Sequence, residues 1–244
     1  METETVIKIE HLFKAFGTNK VLKDFSLEIR KGESLVVLGK SGSGKSVLIK
    51  CIIGLMQPDK GSIEVFGKNI STLNHTELDE IRVKVGFLFQ SNALYDSMTV
   101  RENLEFPLRR HGIKLDKKNI NELVMEALEN VSLAETVDMM PSELSGGMRK
   151  RISLARTLIL KPEIILYDEP TTGLDPITGR EINELILEIQ KKYNTSSVII
   201  SHDMNCVQTV SNRIAMLIDG HCYQTGTYNE LKNNEDPKIK QFFK

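Results

Sequence analysis

No stretch of the sequence approaches the roughly 18 consecutive apolar residues of a membrane-spanning helix, so a role at a membrane is expected to come through a partner. An excess of one charge is missing too: 32 Lys and Arg nearly cancel 33 Asp and Glu, which argues against nucleic acid as a partner. Cysteine is sparse. Cys51, Cys206 and Cys222 are odd in number and widely spaced without metal-ligand pairing, as suits plain thiols in a reducing compartment rather than a disulfide framework. The opening Met1-Glu2-Thr3-Glu4-Thr5 lacks a basic region followed by an apolar stretch, so no secretory leader is expected. Internal repeats and low-complexity tracts are also lacking. What is present is ordinary for a globular protein, 40% hydrophobic and 27% charged, with 244 residues, enough for one domain carrying an inserted lobe.

Val6-Ile7-Lys8-Ile9 alternates like a half-buried strand, and residues 25–30 do so again before the Lys31-Gly32 turn, predicting antiparallel strands. Leu35-Val36-Val37-Leu38 is instead a continuous apolar run, as expected of a central strand covered on both faces. Similar runs recur at 85–89, 164–167, 198–201 and 214–218, with helical periodicity between them, as at 177–191. The alternation predicts an α/β fold with a largely parallel sheet. Between residues 98 and 160 no comparable strand candidate occurs. Ile120, Leu123, Val124, Ala127, Leu128 and Val131 fall there at the spacing of a helix with one packed face. The tail, 231–244, reads as a short docked helix or a solvated end. One domain over 1–244 is expected: an antiparallel β-lobe at about 1–34 and 61–70, a parallel-sheet core at about 35–60, 71–90 and 161–244, and a helical lobe at about 91–160.

Gly39-Lys40-Ser41-Gly42-Ser43-Gly44-Lys45-Ser46 fits G-x-x-x-x-G-K-[ST] and lies between a buried strand and an apolar helix at 47–55, the context a phosphate cradle requires. Gly42 and Gly44 let the backbone curl so that consecutive N–H groups, backed by the helix N-terminus, meet phosphate oxygens. Lys45 is placed to reach the β- and γ-phosphates of ATP, and Ser46 to offer its hydroxyl to Mg²⁺. A second hydrophobic strand ends in Asp168-Glu169. Asp168 is expected to hold Mg²⁺ and Glu169 to orient or deprotonate the attacking water.

Leu144-Ser145-Gly146-Gly147-Met148-Arg149-Lys150-Arg151, before the acid strand, closely resembles the signature sequence of ABC-type ATPases. Gln90 resembles that family's Q-loop residue, Gly173-Leu174-Asp175 its D-loop, and His202 its switch histidine; the resemblance covers essentially the whole chain. It implies a P-loop NTPase (RecA-like) core, ATP and Mg²⁺ as cofactors, and two copies packed head to tail. Ser145, Gly146 and Gly147 of one copy would then meet ATP on the cradle of the other. It also implies that Gln90 senses Mg²⁺ or water, that Asp175 contacts the nucleotide region, and that His202 donates a hydrogen bond to the γ-phosphate. Phe16 stands where the family has an adenine-stacking aromatic, a contact worth about 1–3 kcal/mol. Phe13 is the alternative, and both rings could instead fill the β-lobe core. Met148 departs from the glutamine common there and cannot replace an amide's hydrogen bonds. The Arg149-Lys150-Arg151 run reads as a solvated helix face, with phosphate steering the other reading.

Within the family, the stretches 90–100, 144–151 and 167–177 are similar to the ATPases of bacterial Mce-type phospholipid transporters. That likeness implies integral membrane permease subunits, an Mce-domain lipid-binding protein, and a place on the cytoplasmic side of the inner membrane. Ala93, Leu94, Tyr95, Met98 and Val100 could line a groove for a permease helix or pack the helical lobe internally.

Overall fold

The computed structural model describes residues 4–243; residues 1–3 and 244, included in the expected β-lobe and core, lie outside it. The predicted alternation at residues 6–9 extends into a long antiparallel pair, β1 (Thr5–Phe16) and β2 (Asn19–Arg30). Next come β3 (Ser34–Leu38), α1 (Lys45–Ile52), β4 (Lys60–Val65) and β5 (Lys68–Asn69). β1 pairs with β4 and β4 with β5, giving one antiparallel sheet in the order β2-β1-β4-β5.

The chain continues through α2 (His75–Lys84), β6 (Val85–Leu88), α3 (Val100–Arg110), α4 (Lys117–Glu129), α5 (Gly146–Leu158) and β7 (Ile164–Asp168). It closes with α6 (Pro176–Tyr193), β8 (Ser196–Ser201), α7 (Met204–Val210), β9 (Arg213–Ile218), β10 (His221–Gly226), α8 (Tyr228–Lys232) and α9 (Pro237–Lys240). A six-stranded sheet runs β10-β9-β3-β8-β7-β6, parallel except for β10.

Its strands explain their unbroken apolar runs. Leu35 and Val37 join one hydrophobic cluster with Ile7, Phe25 and α1, whereas Val36 and Leu38 join another with α3, α4 and α5. Ile164 and Leu166 face the first and Ile165 and Tyr167 the second, so both faces of the sheet are covered. The helices of 100–158 therefore share one core with the sheet, through Leu104, Leu128, Ile152 and Ala155. On α4, Val124, Ala127 and Leu128 are buried and Ile120 and Leu123 partly so, which is the packed face their spacing predicts. The tail is docked rather than solvated: Leu231 and Ile239 are each 1% exposed. All three cysteines are free, two of them buried and Cys222 half-buried.

Candidate active site

β3 is buried along its whole length and delivers the chain to Gly39 at the edge of the sheet. The following helix begins at Lys45, two residues earlier than its apolar pattern indicates. Gly44 caps it at φ 105°, where a Cβ would lie 2.5 Å from Val21 Cγ1, so backbone conformation and close approach both require glycine. Among the described residues no side chain caps this N-terminus, leaving first-turn N–H groups as donors. Ser43 Oγ is likewise buried without a partner among them. Lys45 is 6% exposed; its Nζ donates to the carbonyls of Gly39 (2.8 Å) and Lys40 (3.1 Å).

The two acids at the end of β7 diverge. Asp168 Oδ1 accepts from Ser46 Oγ at 3.0 Å, tying β7 to the first turn of α1. Burial pushes the Asp168 carboxyl above its ordinary range, with the Ser46 hydrogen bond opposing that shift. Glu169 adopts φ 52°, and its N–H donates to Ile200 O (3.0 Å) on β8. Its Oε1 lies 3.7 Å from Lys45 Nζ, and its Oε2 is 2.8 Å from His202 Nδ1 and accepts from Thr172 Oγ1 at 3.2 Å. One cleft is lined by Val21, Ser41, Gly42, Gly44, Lys45, Ser46, Val47, Gln90, Glu169 and His202. The structure thus brings together residues that the sequence separates by more than 150 positions. The oxygen donors Ser46 and Asp168, beside the Gln90 amide, suit a hard divalent cation that takes few protein ligands and completes its shell with phosphate and water.

A sequence model of the family described as "ABC transporter" matches residues 22–172 of this cleft-forming chain. The chain belongs to that family. It is an ATP-hydrolysing ABC transporter ATPase with the P-loop NTPase fold. "Probable ribonucleotide transport ATP-binding protein mkl" of Mycobacterium leprae is 40% identical over 99% of this chain. The chain spans 70% of that protein's length and 66% of the Mycobacterium tuberculosis protein of the same description. "Methionine import ATP-binding protein MetN" of Clostridium tetani is 40% identical over 93% of this chain and 70% of its own length. "Intermembrane phospholipid transport system ATP-binding protein MlaF" of Haemophilus influenzae is 35% identical over 99% of this chain and 91% of its own. Among solved structures, the ATP-binding cassette MJ0796, dimeric and bound to ADP and Pi, superposes with a TM-score of 0.82 at 31% identity, covering 91% of this chain and 98% of that one.

Other residues of this ABC transporter ATPase are not among those lining the cleft, although Asp175 lines an adjoining pocket with His202. Ser145 caps α5, its Oγ accepting from Met148 N–H at 3.2 Å, and Gly146 and Gly147 form the first turn. Asp175 caps α6, its carboxylate accepting from the Ile177 and Thr178 N–H groups and the Thr178 hydroxyl; these bonds hold its pKa below the ordinary range. Phe16 is 49% exposed and Phe13 36%, so neither ring fills the β-lobe core. Val100 is buried in the helical lobe, Leu94 packs against that core, and Tyr95 is exposed beside Phe106 with ring centroids 4.7 Å apart.

The reading of residues 149–151 as a solvated face fails at Lys150, whereas Arg149 is exposed and Arg151 half-buried. Lys150 is 1% exposed, and its Nζ donates to Gln90 O at 3.0 Å and Phe89 O at 3.4 Å. Arg149 Nε donates to Leu144 O, and Arg151 pairs with Glu181 at 2.7 Å. Three successive cations on a helix point three ways, and only the spacing of Lys150 with Ser153 and Thr157, i, i+3 and i+7, marks it as inward. Sequence reasoning also missed Thr172 and Val21, which carry no motif of their own.

Proposed function

We propose that this ATPase powers a transporter moving phospholipid between membranes of a bacterial envelope, working as a head-to-tail pair with a second copy. In this reading it sits beneath integral membrane permease subunits on the cytoplasmic side of the inner membrane, with an Mce-domain lipid-binding protein in the assembly. The observation carrying the enzymatic part is the convergence of Lys45, Ser46, Gln90, Glu169 and His202 on one cleft while Ser145 sits on a separate helix end. The Ser145-capped, glycine-started first turn of α5 then serves a nucleotide on the other copy.

ATP lies with its phosphates on the N–H donors of residues 42–46 and on Lys45 Nζ. Ser46, Asp168 and the Gln90 amide would hold Mg²⁺, which when bound would offset negative charge on the phosphate oxygens. Glu169, anchored through Oε2, orients the attacking water and takes its proton. His202 Nδ1 lies 2.8 Å from that carboxylate, which orients the ring, and His202 is assigned to a γ-phosphate oxygen through Nε2. Phe16 is assigned the adenine face, and Asp175 sets the chain leading from Thr171 to α6 beside the nucleotide. Glu169→Gln is expected to keep ATP binding, lose about 10²–10⁴-fold in turnover, and accumulate an ATP-bound dimer on size exclusion. Near-normal hydrolysis would remove Glu169 from this role.

The phospholipid reading rests on the likeness to the Haemophilus protein and on residues 90–100 and 144–151. The methionine import relative, 40% identical, supports a second reading in which the cargo is an amino acid. Purifying the native complex separates them. Copurified permease, Mce-domain protein and phospholipid support the first; an amino-acid-binding protein with methionine-stimulated hydrolysis supports the second.

A further inference from the structure

The loop that carries Gln90 into the cleft gets little support from regular backbone pairing. Between the end of β6 and α3 it passes through Asn92 and Ala93, both at positive φ (64° and 53°), a conformation L side chains adopt at a cost. Asn103 of α3 holds its second half at Tyr95 and Met98, and side chains on one face of α5 hold its first half, residues 89–93. Lys150 Nζ donates to Phe89 O and Gln90 O, and Ser153 Oγ to Asn92 O at 2.8 Å. Arg156 donates to Ala93 O at 2.8 Å through Nη1 and to Asn92 O at 3.3 Å through Nη2. The three residues are spaced three apart, so each stands one turn along from the last. Their bonds climb the loop in the same order, 89–90, 92, 93.

Burying an ammonium is costly unless its donors are matched, and both Lys150 and Ser153 are 1% exposed. An apolar side chain would fill the Lys150 position without that cost. The carbonyls on either side of the Phe89–Gln90 step are what the ammonium serves. Moreover, Ser145 caps α5 and is exposed, so the helix whose N-cap is open to the proposed second copy is also the one that grips this loop.

We infer that Lys150, Ser153 and Arg156 form a positioning row that sets Gln90 in the cleft according to where α5 lies. The inference rests on the reading that Gln90 acts on the metal or the attacking water. Lys150 is not among the residues lining the cleft; it is a positioning residue, acting through the Gln90 backbone. A rigid helix carrying Ser145 at its N-cap and this row along its side makes an arrival at the signature turn felt in the same copy's own cleft. Small displacements of a positioned group weaken catalysis more than binding.

A double-mutant cycle on the full-length chain tests this, with steady-state ATP hydrolysis for Gln90→Ala, Lys150→Met and the pair. Lys150→Met is expected to lower kcat roughly 10-fold while KM for ATP stays within about twofold. Lys150→Arg, which keeps charged donors, should recover part of the loss. The pair should be no worse than Gln90→Ala alone, within about twofold, because both changes remove one positioned group. Losses that multiply in the pair, or an unchanged kcat in Lys150→Met, overturn the row while leaving the role of Gln90 standing. Normal turnover in Gln90→Ala overturns the Gln90 reading itself. Should Lys150→Met lose its cooperative thermal unfolding, Ser153→Ala runs the same cycle. A loss that Gln90→Ala masks then supports the row, and one that multiplies with it refutes it.

Discussion

Two neighbouring carboxylates serve different partners because of one backbone angle. Asp168 is still in β7 and reaches Ser46, whereas Glu169, at φ 52°, turns toward Lys45, Thr172 and His202. A left-handed residue without glycine costs roughly 1–2 kcal/mol, a strain held here by the Glu169 N–H bond to β8 and by three side-chain partners. Burial acts differently on the thiols. It pushes Cys51 and Cys222 up to about 11 and Cys206 up to about 12, which leaves roughly one thiolate in a thousand or fewer at pH 8. Raising a thiol's pKa lowers its reactive fraction, so the native protein should resist iodoacetamide at pH 8 and take up three labels after unfolding. Rapid labelling of native Cys206, read by mass spectrometry, would contradict that.

At the scale of elements, α5 links the parts. Its first turn approaches α6 closely: a Cβ on Gly147 would lie 2.6 Å from Thr178 Cγ2, whereas one on Gly146 meets nothing within 4 Å. Thr178 is itself held by Asp175, so it has little freedom to give way. Gly147→Val is therefore expected to cost about 1–3 kcal/mol, as overpacking does, measured by urea unfolding, and Gly146→Ala a small fraction of that. Helix propensity favours Ala and Val over Gly, so equal losses in both would mean that the α5–α6 approach is not what decides. The N-terminus of α1 shows the opposite design. It is left uncapped where α2 and α3 carry full capping boxes, from Asn74 with Glu77 and Thr99 with Glu102.

Across the whole molecule, Lys45 lines the cleft while Ser145 caps a different element, so a complete site is expected to draw on two copies. Mixing a Ser145→Arg chain with a Lys45→Ala chain should restore one composite site per heterodimer, seen as nucleotide trapped at about half the wild-type stoichiometry. Absence of trapping in the mixture would refute the head-to-tail arrangement. Among the described residues no helix is long and apolar enough to cross a membrane, and in the proposed reading force on the transported molecule passes through a permease contact. In that reading the proposed place for it is the exposed Tyr95, close to the loop residues gripped by α5.

Chemistry carried by contiguous residues was legible without coordinates. The cradle at 39–46, the acids at 168–169 and the sheet strands each depend on local spacing and on which neighbours are apolar. Those are properties of a short stretch of chain. The tertiary structure decided what depends on distance in space: which way Glu169 turns, that His202 lies 2.8 Å from it across 33 residues, and that the two faces of the sheet close over separate clusters. Lys150 shows the division most sharply. In the sequence it is the middle of three cations and reads as solvated, because charge alone favours water. Packing of α5 on the sheet turns that one position inward, and the carbonyls of Phe89 and Gln90, 60 residues away, supply the partners that water would otherwise provide.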